Sequence, residues 1–176
     1  DLIVGYGMLE DDARQTYQDA GIPVISFMPE SIEEVIVAIK QIAIATDSVE
    51  IGNDLVQSME EHQEEIVVKV QNTETVKVFY EIWHDPLMAA GIGSFVDELI
   101  HLANGVNVAG DAEGEYPNYD IEQLIENDPD FYLTANMETG GFSENTVESI
   151  SARPGYDNIR AIKNGDVYLL DGNIIS

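Results

Sequence analysis

Apolar residues follow two rhythms along this chain. Short apolar runs alternate with longer stretches spaced by three and four, the pattern of strands alternating with helices. Asp1-Leu2-Ile3-Val4-Gly5 reads as a buried strand closed by a turn at Tyr6-Gly7. Leu9 to Ala20 has helical character and stops at Gly21, and Ile22 to Phe27 is a second apolar run with Pro23 near its start. Strand, helix, strand in this order is a βαβ unit, which implies parallel pairing.

Ser31-Ile32-Glu33-Glu34 is a capping box, and Ile32, Val35, Ile36, Ile39 and Ala43 follow it at helical spacing. Asp47-Ser48-Val49-Glu50 is a second box opening a longer helix. In that helix Ile51, Leu55, Met59, Ile66 and Val70 form one stripe, with His62 on the same face and Glu60, Glu61, Glu64 and Glu65 largely off it. From Ser48 to Gln71 such a helix runs roughly 36 Å at about 1.5 Å per residue. That length suits a strut between two lobes, with burial of the stripe supplying most of its stability.

Alternation returns at Val76–Trp83, a strand ended by His84-Asp85-Pro86, and Ala89–Gly93 reads as a small-residue loop. Ser94 caps a helix that stops at Asn104-Gly105, and Asp120 caps a short helix ending before Pro129. Phe131–Thr134 is a strand, Asn145–Ile150 a short helix and Val167–Leu170 a last strand. The reading is an α/β chain of two lobes joined by one long helix: a partial first lobe over 1–46, the bridging helix over 47–72, and a second lobe over 73–176 that ends without its closing helix.

Composition narrows the chemistry. Seven Lys+Arg against 34 Asp+Glu give a net charge of −27. Such a surface repels phosphate backbones and anionic headgroups, which argues against a nucleic-acid binder or a polybasic membrane reader. The acids are spread over both halves, as solubility or salt adaptation spreads them. No apolar run approaches the ~18 residues that span a bilayer, and no signal peptide is visible in this chain. Cysteine is absent, which removes disulfides, thiolate nucleophiles and Cys-type zinc or iron–sulfur sites. Zinc-hydrolase, phosphate-loop, dinucleotide-fold and nucleophile-elbow spacings are missing as well, so no catalytic residue and no metal ligand is assigned.

Of the histidines, His62 on the apolar helix face reads as packing or interlobe contact. His101, near a helix C-terminus, reads as structural. His84 differs, because it follows Trp83 at a strand's C-terminal end, where open α/β sheets place their ligands. Aromatic residues gather at comparable points: Tyr6, Tyr80, Trp83, Tyr116 and Phe142. Walls of this kind hold large apolar ligands. Met137 is a weaker candidate, and Arg153 is the best local cation.

The order of segments resembles the class III periplasmic binding proteins, the substrate-binding components of ABC importers for iron–siderophores, haem and cobalamin. The stretch Val78 to Ile100 carries most of the likeness. Asp1-Leu2-Ile3-Val4, Gly21-Ile22-Pro23-Val24, Gly105–Val108, Ile121–Ile125, Pro129-Asp130, Arg153-Pro154-Gly155 and Ala161–Tyr168 agree in order. The resemblance implies two α/β lobes bridged by one helix, a metal chelate captured between them as cargo rather than cofactor, no enzymatic activity and an extracytoplasmic location. It implies permease membrane subunits as partners, with Glu122 matching an exposed glutamate that pairs with permease arginines. It also implies that the chain is a central portion, with a first βαβ segment before Asp1 and terminal helices after Ser176. The alternative, an enzyme or metal-cluster protein on a similar two-lobed scaffold, is disfavoured by the absence of cysteine.

Overall fold

The computed structural model of the chain describes residues 1–7, 9–136 and 145–172. Two compact units divide the chain, Asp1–His62 and Gln63–Ser176.

In the first unit, β1 (Ile3–Tyr6), α1 (Asp11–Asp19) and β2 (Val24–Phe27) form the expected βαβ unit, with β1 and β2 parallel. α2 (Ile32–Ala45) begins at Ser31, whose hydroxyl accepts the Glu34 N–H at 3.2 Å. The Glu34 carboxylate reaches back to the Glu30 N–H at 2.8 Å. The first bond satisfies an amide that the first turn leaves without a helical partner, and the second ties the residue before the cap to that turn.

α3 (Val49–Val70) is one unbroken helix of 22 residues. Its start departs from the sequence reading. Asp47 has a left-handed φ of 54°, whereas a helix cap needs extended backbone. Asp47 therefore forms the turn after α2, and α3 begins at Val49. The buried face is also rotated from the expected stripe. Gly52 and Val56 are buried, while Ile51, Leu55 and Ile66 are half or more exposed and His62 is exposed. The reason is a close approach of α2 and α3 at their smallest residues. A Cβ on Gly52 would stand 2.4 Å from the Ala43 Cβ. Ile51 and Leu55 instead flank a groove that they share with Ile39 and Ile42.

Gly52→Ala therefore sets two effects against each other. Alanine gains about 1 kcal/mol in helix propensity, but a short side chain fixed to backbone cannot swing away, so the helices must separate, at about 1–3 kcal/mol. Net destabilisation is expected in urea unfolding; a stabilised variant would mean that the helices part freely.

The second unit is built on β3 (Val76–His84). β4 (Leu87–Ala89) turns back antiparallel to its end, around a turn holding the cis Asp85–Pro86 bond. This strand occupies part of what reads as a loop in the sequence, because three residues give no alternation to detect. α4 (Phe95–Leu102) follows its Ser94 cap, and β5 (Gly105–Asn107), also too short to read, pairs parallel with Val76–Val78. α5 (Ile121–Asn127) starts where Asp120 accepts the Glu122 and Gln123 N–H groups. β6 (Phe131–Asn136) runs parallel to β3, and α6 (Val147–Ser151) follows a Thr146 cap. A 3-10 turn at Tyr156–Asn158, α7 (Arg160–Asn164) and β7 (Val167–Asp171), parallel to β6, complete the sheet.

Two apolar clusters pack against this sheet. One holds Phe79, Leu124, Tyr132, Ile150, Tyr156 and Ile159; the other holds Val78, Tyr80, Ala90, Val96 and Ile100. Their membership follows the period-two alternation of β3. Buried Asp97 locks the loop before α4, accepting the Gly93 N–H at 3.1 Å and the Asn107 Nδ2–H at 2.8 Å. Asn107 donates as well to the Ala90 carbonyl.

Candidate functional site

The C-terminal half of β3 carries an unusual combination. Glu81 shares a face with Phe79 and is 1% exposed. A buried carboxylate is costly unless it is paired and hydrogen-bonded, and Glu81 is both. Arg153, just beyond α6, forms an ion pair with it through Nη1, and Nη2 reaches its other oxygen at 3.3 Å. The Tyr132 hydroxyl donates to the same carboxylate, and Asn145 Nδ2 does so at 3.4 Å. Arg153 Nη2 also donates to Asn145 Oδ1 at 3.0 Å, and its guanidinium lies 5.4 Å from the Tyr156 ring centre. Burial opposes the Arg153 charge, but the bonds and charge of Glu81 outweigh it and hold the guanidinium above its ordinary pKa. Burial, and then the charge of Glu81, push the Tyr132 phenol well above its ordinary value.

Beside this network lies a pocket of about 440 Å³, lined by His84, Leu87, Tyr119, Asp120, Ile121, Arg153, Pro154 and Tyr156. Its position follows from local sequence. The register of β3 against β4 shifts between Glu81 and Trp83, a bulge of the kind that re-aims side chains at strand ends. Glu81 stays in the core while His84 reaches the pocket. Trp83 sits beside His84 with ring centres 5.3 Å apart, and its indole N–H donates to the Asp85 carbonyl at 2.8 Å. Opposite, Tyr119 is held by its hydroxyl, which donates to the Val108 carbonyl at 2.8 Å and accepts from Asn127 at 2.7 Å. The open pocket can receive one side of a bulky ligand against aromatic and apolar walls, with His84 offering a ring nitrogen.

Among the expected residues, the structure brings His84 and Arg153 into this pocket, with Trp83 adjoining. Tyr80 lies in the cluster on the other face of β3, 3% exposed, and burial pushes its phenol up to about 12. Tyr116 is half-exposed in the loop before α5, and Tyr6 is 79% exposed in the first unit. Met137 and Phe142 lie outside the described residues. Glu122 is exposed in the first turn of α5. His101 contacts the Asp97 carbonyl through Nδ1 at 2.7 Å. Sequence reasoning missed Leu87, Tyr119, Ile121 and Tyr156 as lining residues. Only the Asp120 cap and the Arg-Pro-Gly run pointed at their neighbourhood.

Among the described residues, no group of three or more His, Asp or Glu side chains is placed to hold a metal ion. Nor is any helix among them long and apolar enough to cross a membrane.

A family model for periplasmic binding proteins matches residues 1–174. A vitamin B12-binding protein of Vibrio parahaemolyticus is 24% identical over 115 residues, 65% of this chain and 42% of its own length. A solved structure from Staphylococcus epidermidis, described as a possible iron-binding (periplasmic solute-binding) protein, superposes with a TM-score of 0.82 at 25% identity. That match covers 99% of this chain and 69% of the other. The periplasmic haem-binding protein of Vibrio cholerae shares the fold, with a TM-score of 0.86 at 21% identity, covering 99% of this chain and 68% of that one. The chain spans about half the length of the curated relatives it matches.

Proposed function

This chain belongs to the periplasmic binding protein family, and from that premise we propose that it is the substrate-binding part of an ABC importer for a metal chelate. The cargo is a ferric siderophore, haem or cobalamin, and the chain carries it outside the cytoplasm to permease membrane subunits. Relatives described as binding vitamin B12, haem and iron support the chelate class. The observation that carries the reading is the pocket at the end of β3, large, walled by Tyr119 and Tyr156 and flanked by Trp83 and His84. Aromatic walls suit a wide chelate, and a histidine nitrogen suits an axial metal position. Membership in the family makes the chain a carrier rather than an enzyme. We take α3 as the helix that joins the lobes, with residues 1–46 in the first lobe and 73–176 in the second; its unbroken 22 residues support that role.

The test is a titration with cyanocobalamin, haem and a ferric hydroxamate. Trp83 is the single tryptophan, so quenching of indole emission reports on the pocket's edge. Saturable quenching by one chelate is expected; no quenching and no calorimetric heat with any of them would refute the reading. Trp83→Ala should weaken the identified chelate about five- to tenfold, since it removes the ring beside His84 at the pocket's edge. Unchanged affinity would remove Trp83 from the site.

Glu122 separates docking from ligand binding. Its place in the first turn of α5 favours a carboxylate, at about 0.3–1 kcal/mol. As a docking residue it would pair with permease arginine, a charge-assisted contact that registers a complex. Glu122→Ala is then expected to keep chelate affinity while lowering permease-stimulated ATP hydrolysis and uptake in a reconstituted system. A lowered melting temperature with unchanged transport would confine Glu122 to the helix cap.

A further inference from the structure

We infer that the pocket selects chelates by charge, taking those whose outer face is neutral or cationic and discriminating against those that carry carboxylates or other anionic groups. This rests on the chelate-carrier reading above. The decisive observation is the state of Arg153, the one lysine or arginine that lines the pocket. Its guanidinium forms an ion pair with fully buried Glu81, while Nη1 and Nη2 also meet the Tyr132 hydroxyl and Asn145 Oδ1. The positive charge is thus matched inside the protein, and the Nη1 and Nη2 groups already face acceptors.

No other lysine or arginine of the second unit lines the pocket. The residues outside the described ones contain no lysine or arginine. In the second unit Lys69 is exposed in the last turn of α3, and Arg160 is paired with Asp128 and Asp130. Lys77 and Lys163 donate to the carbonyls of Asn127 and Asn158. On the opposite side of the balance, Asp120 lines the pocket. With Glu81 matching Arg153, the lining carries no surplus positive charge from lysine or arginine. The chain's net charge of −27 adds a long-range field that repels anions from the mouth.

The experiment uses pairs matched in shape and different in charge. They are ferrioxamine B against its anionic N-succinyl derivative, cyanocobalamin against its monocarboxylate, and haem dimethyl ester against haem. In whichever pair binds, the less anionic member should bind roughly tenfold tighter at about 0.1 M salt. The gap should narrow toward about 1 M, where the Debye length falls from ~10 Å to ~3 Å. Tighter binding of the more anionic member overturns the inference and leaves the carrier reading standing. If no member of any pair binds, the carrier reading fails and takes the inference with it. Glu81→Gln probes the local cause, since it keeps the shape and releases the Arg153 charge. Where this variant melts cooperatively, the gap should shrink several-fold or reverse, and an unchanged gap overturns the assignment to Arg153. Where it does not fold, the wild-type pairs and their salt dependence decide.

Discussion

Replacing Arg153 with methionine is expected to lower the unfolding free energy by about 3–5 kcal/mol, the cost of leaving a buried carboxylate without its counter-charge. Glu81 cannot escape the loss by turning to water, because it is 1% exposed on a strand held between β4 and β6. Tyr132 and Asn145 still donate to it, but neither brings a positive charge. The partner's removal should be milder. Arg153 keeps 16% of its side chain exposed, so in Glu81→Gln the guanidinium can be partly hydrated and the amide oxygen can still accept from Tyr132. Urea unfolding of Arg153→Met, Glu81→Gln and the double variant forms a closed cycle, in which the double variant should recover much of the loss seen in Arg153→Met. A loss below about 1 kcal/mol in Arg153→Met would show that the pair is solvated like a surface salt bridge.

The largest response to conditions is expected from salt. With 34 acids against seven bases, the native surface repels itself more than the expanded chain does, and added ions screen that repulsion. Several kcal/mol of stability should be recovered between about 0.1 M and 1 M NaCl, which raises the melting temperature by roughly 10 °C or more for a chain of this length. Differential scanning calorimetry across a NaCl series checks this. A melting temperature that stays flat would mean that the charges lie too far apart to matter. Arg153→Met should keep most of its deficit at high salt, because its defect is buried and screening ions do not reach it.

The fold was largely legible because the dominant signals are local. The βαβ start, the Ser31, Ser94 and Asp120 caps, and the strands at 76–84, 131–136 and 167–171 all follow from periodicity and capping chemistry within a few residues. The face of α3 was not, because it is set by Gly52 meeting Ala43, and a glycine adds nothing to a hydrophobic stripe. In the candidate site, His84 and Arg153 could be picked from a strand end and a turn motif. Period two could not have placed Trp83 and His84, because the bulge between Glu81 and Trp83 interrupts the alternation. Glu81 had no strand-end or turn signal. One buried acid among 34 looks like the rest until the strand that covers it and the arginine that answers it are placed together, and they come from segments far apart in the chain. Tyr119 and Tyr156 were hidden for the same reason.

The pairing of β3 also sets an order of events. α2 and α3 meet across a turn of a few residues and can associate as soon as both exist. β3 must wait. Its partner Phe131 lies 53 residues beyond Val78, and β6 in turn pairs with a strand that ends at Asp171. Long-range pairings of this kind carry the full entropic cost of loop closure before any contact rewards them. On a ribosome, then, the first half of the chain emerges able to form its helices, whereas the β6–β7 side of the sheet cannot be completed until almost the last of these residues has been made.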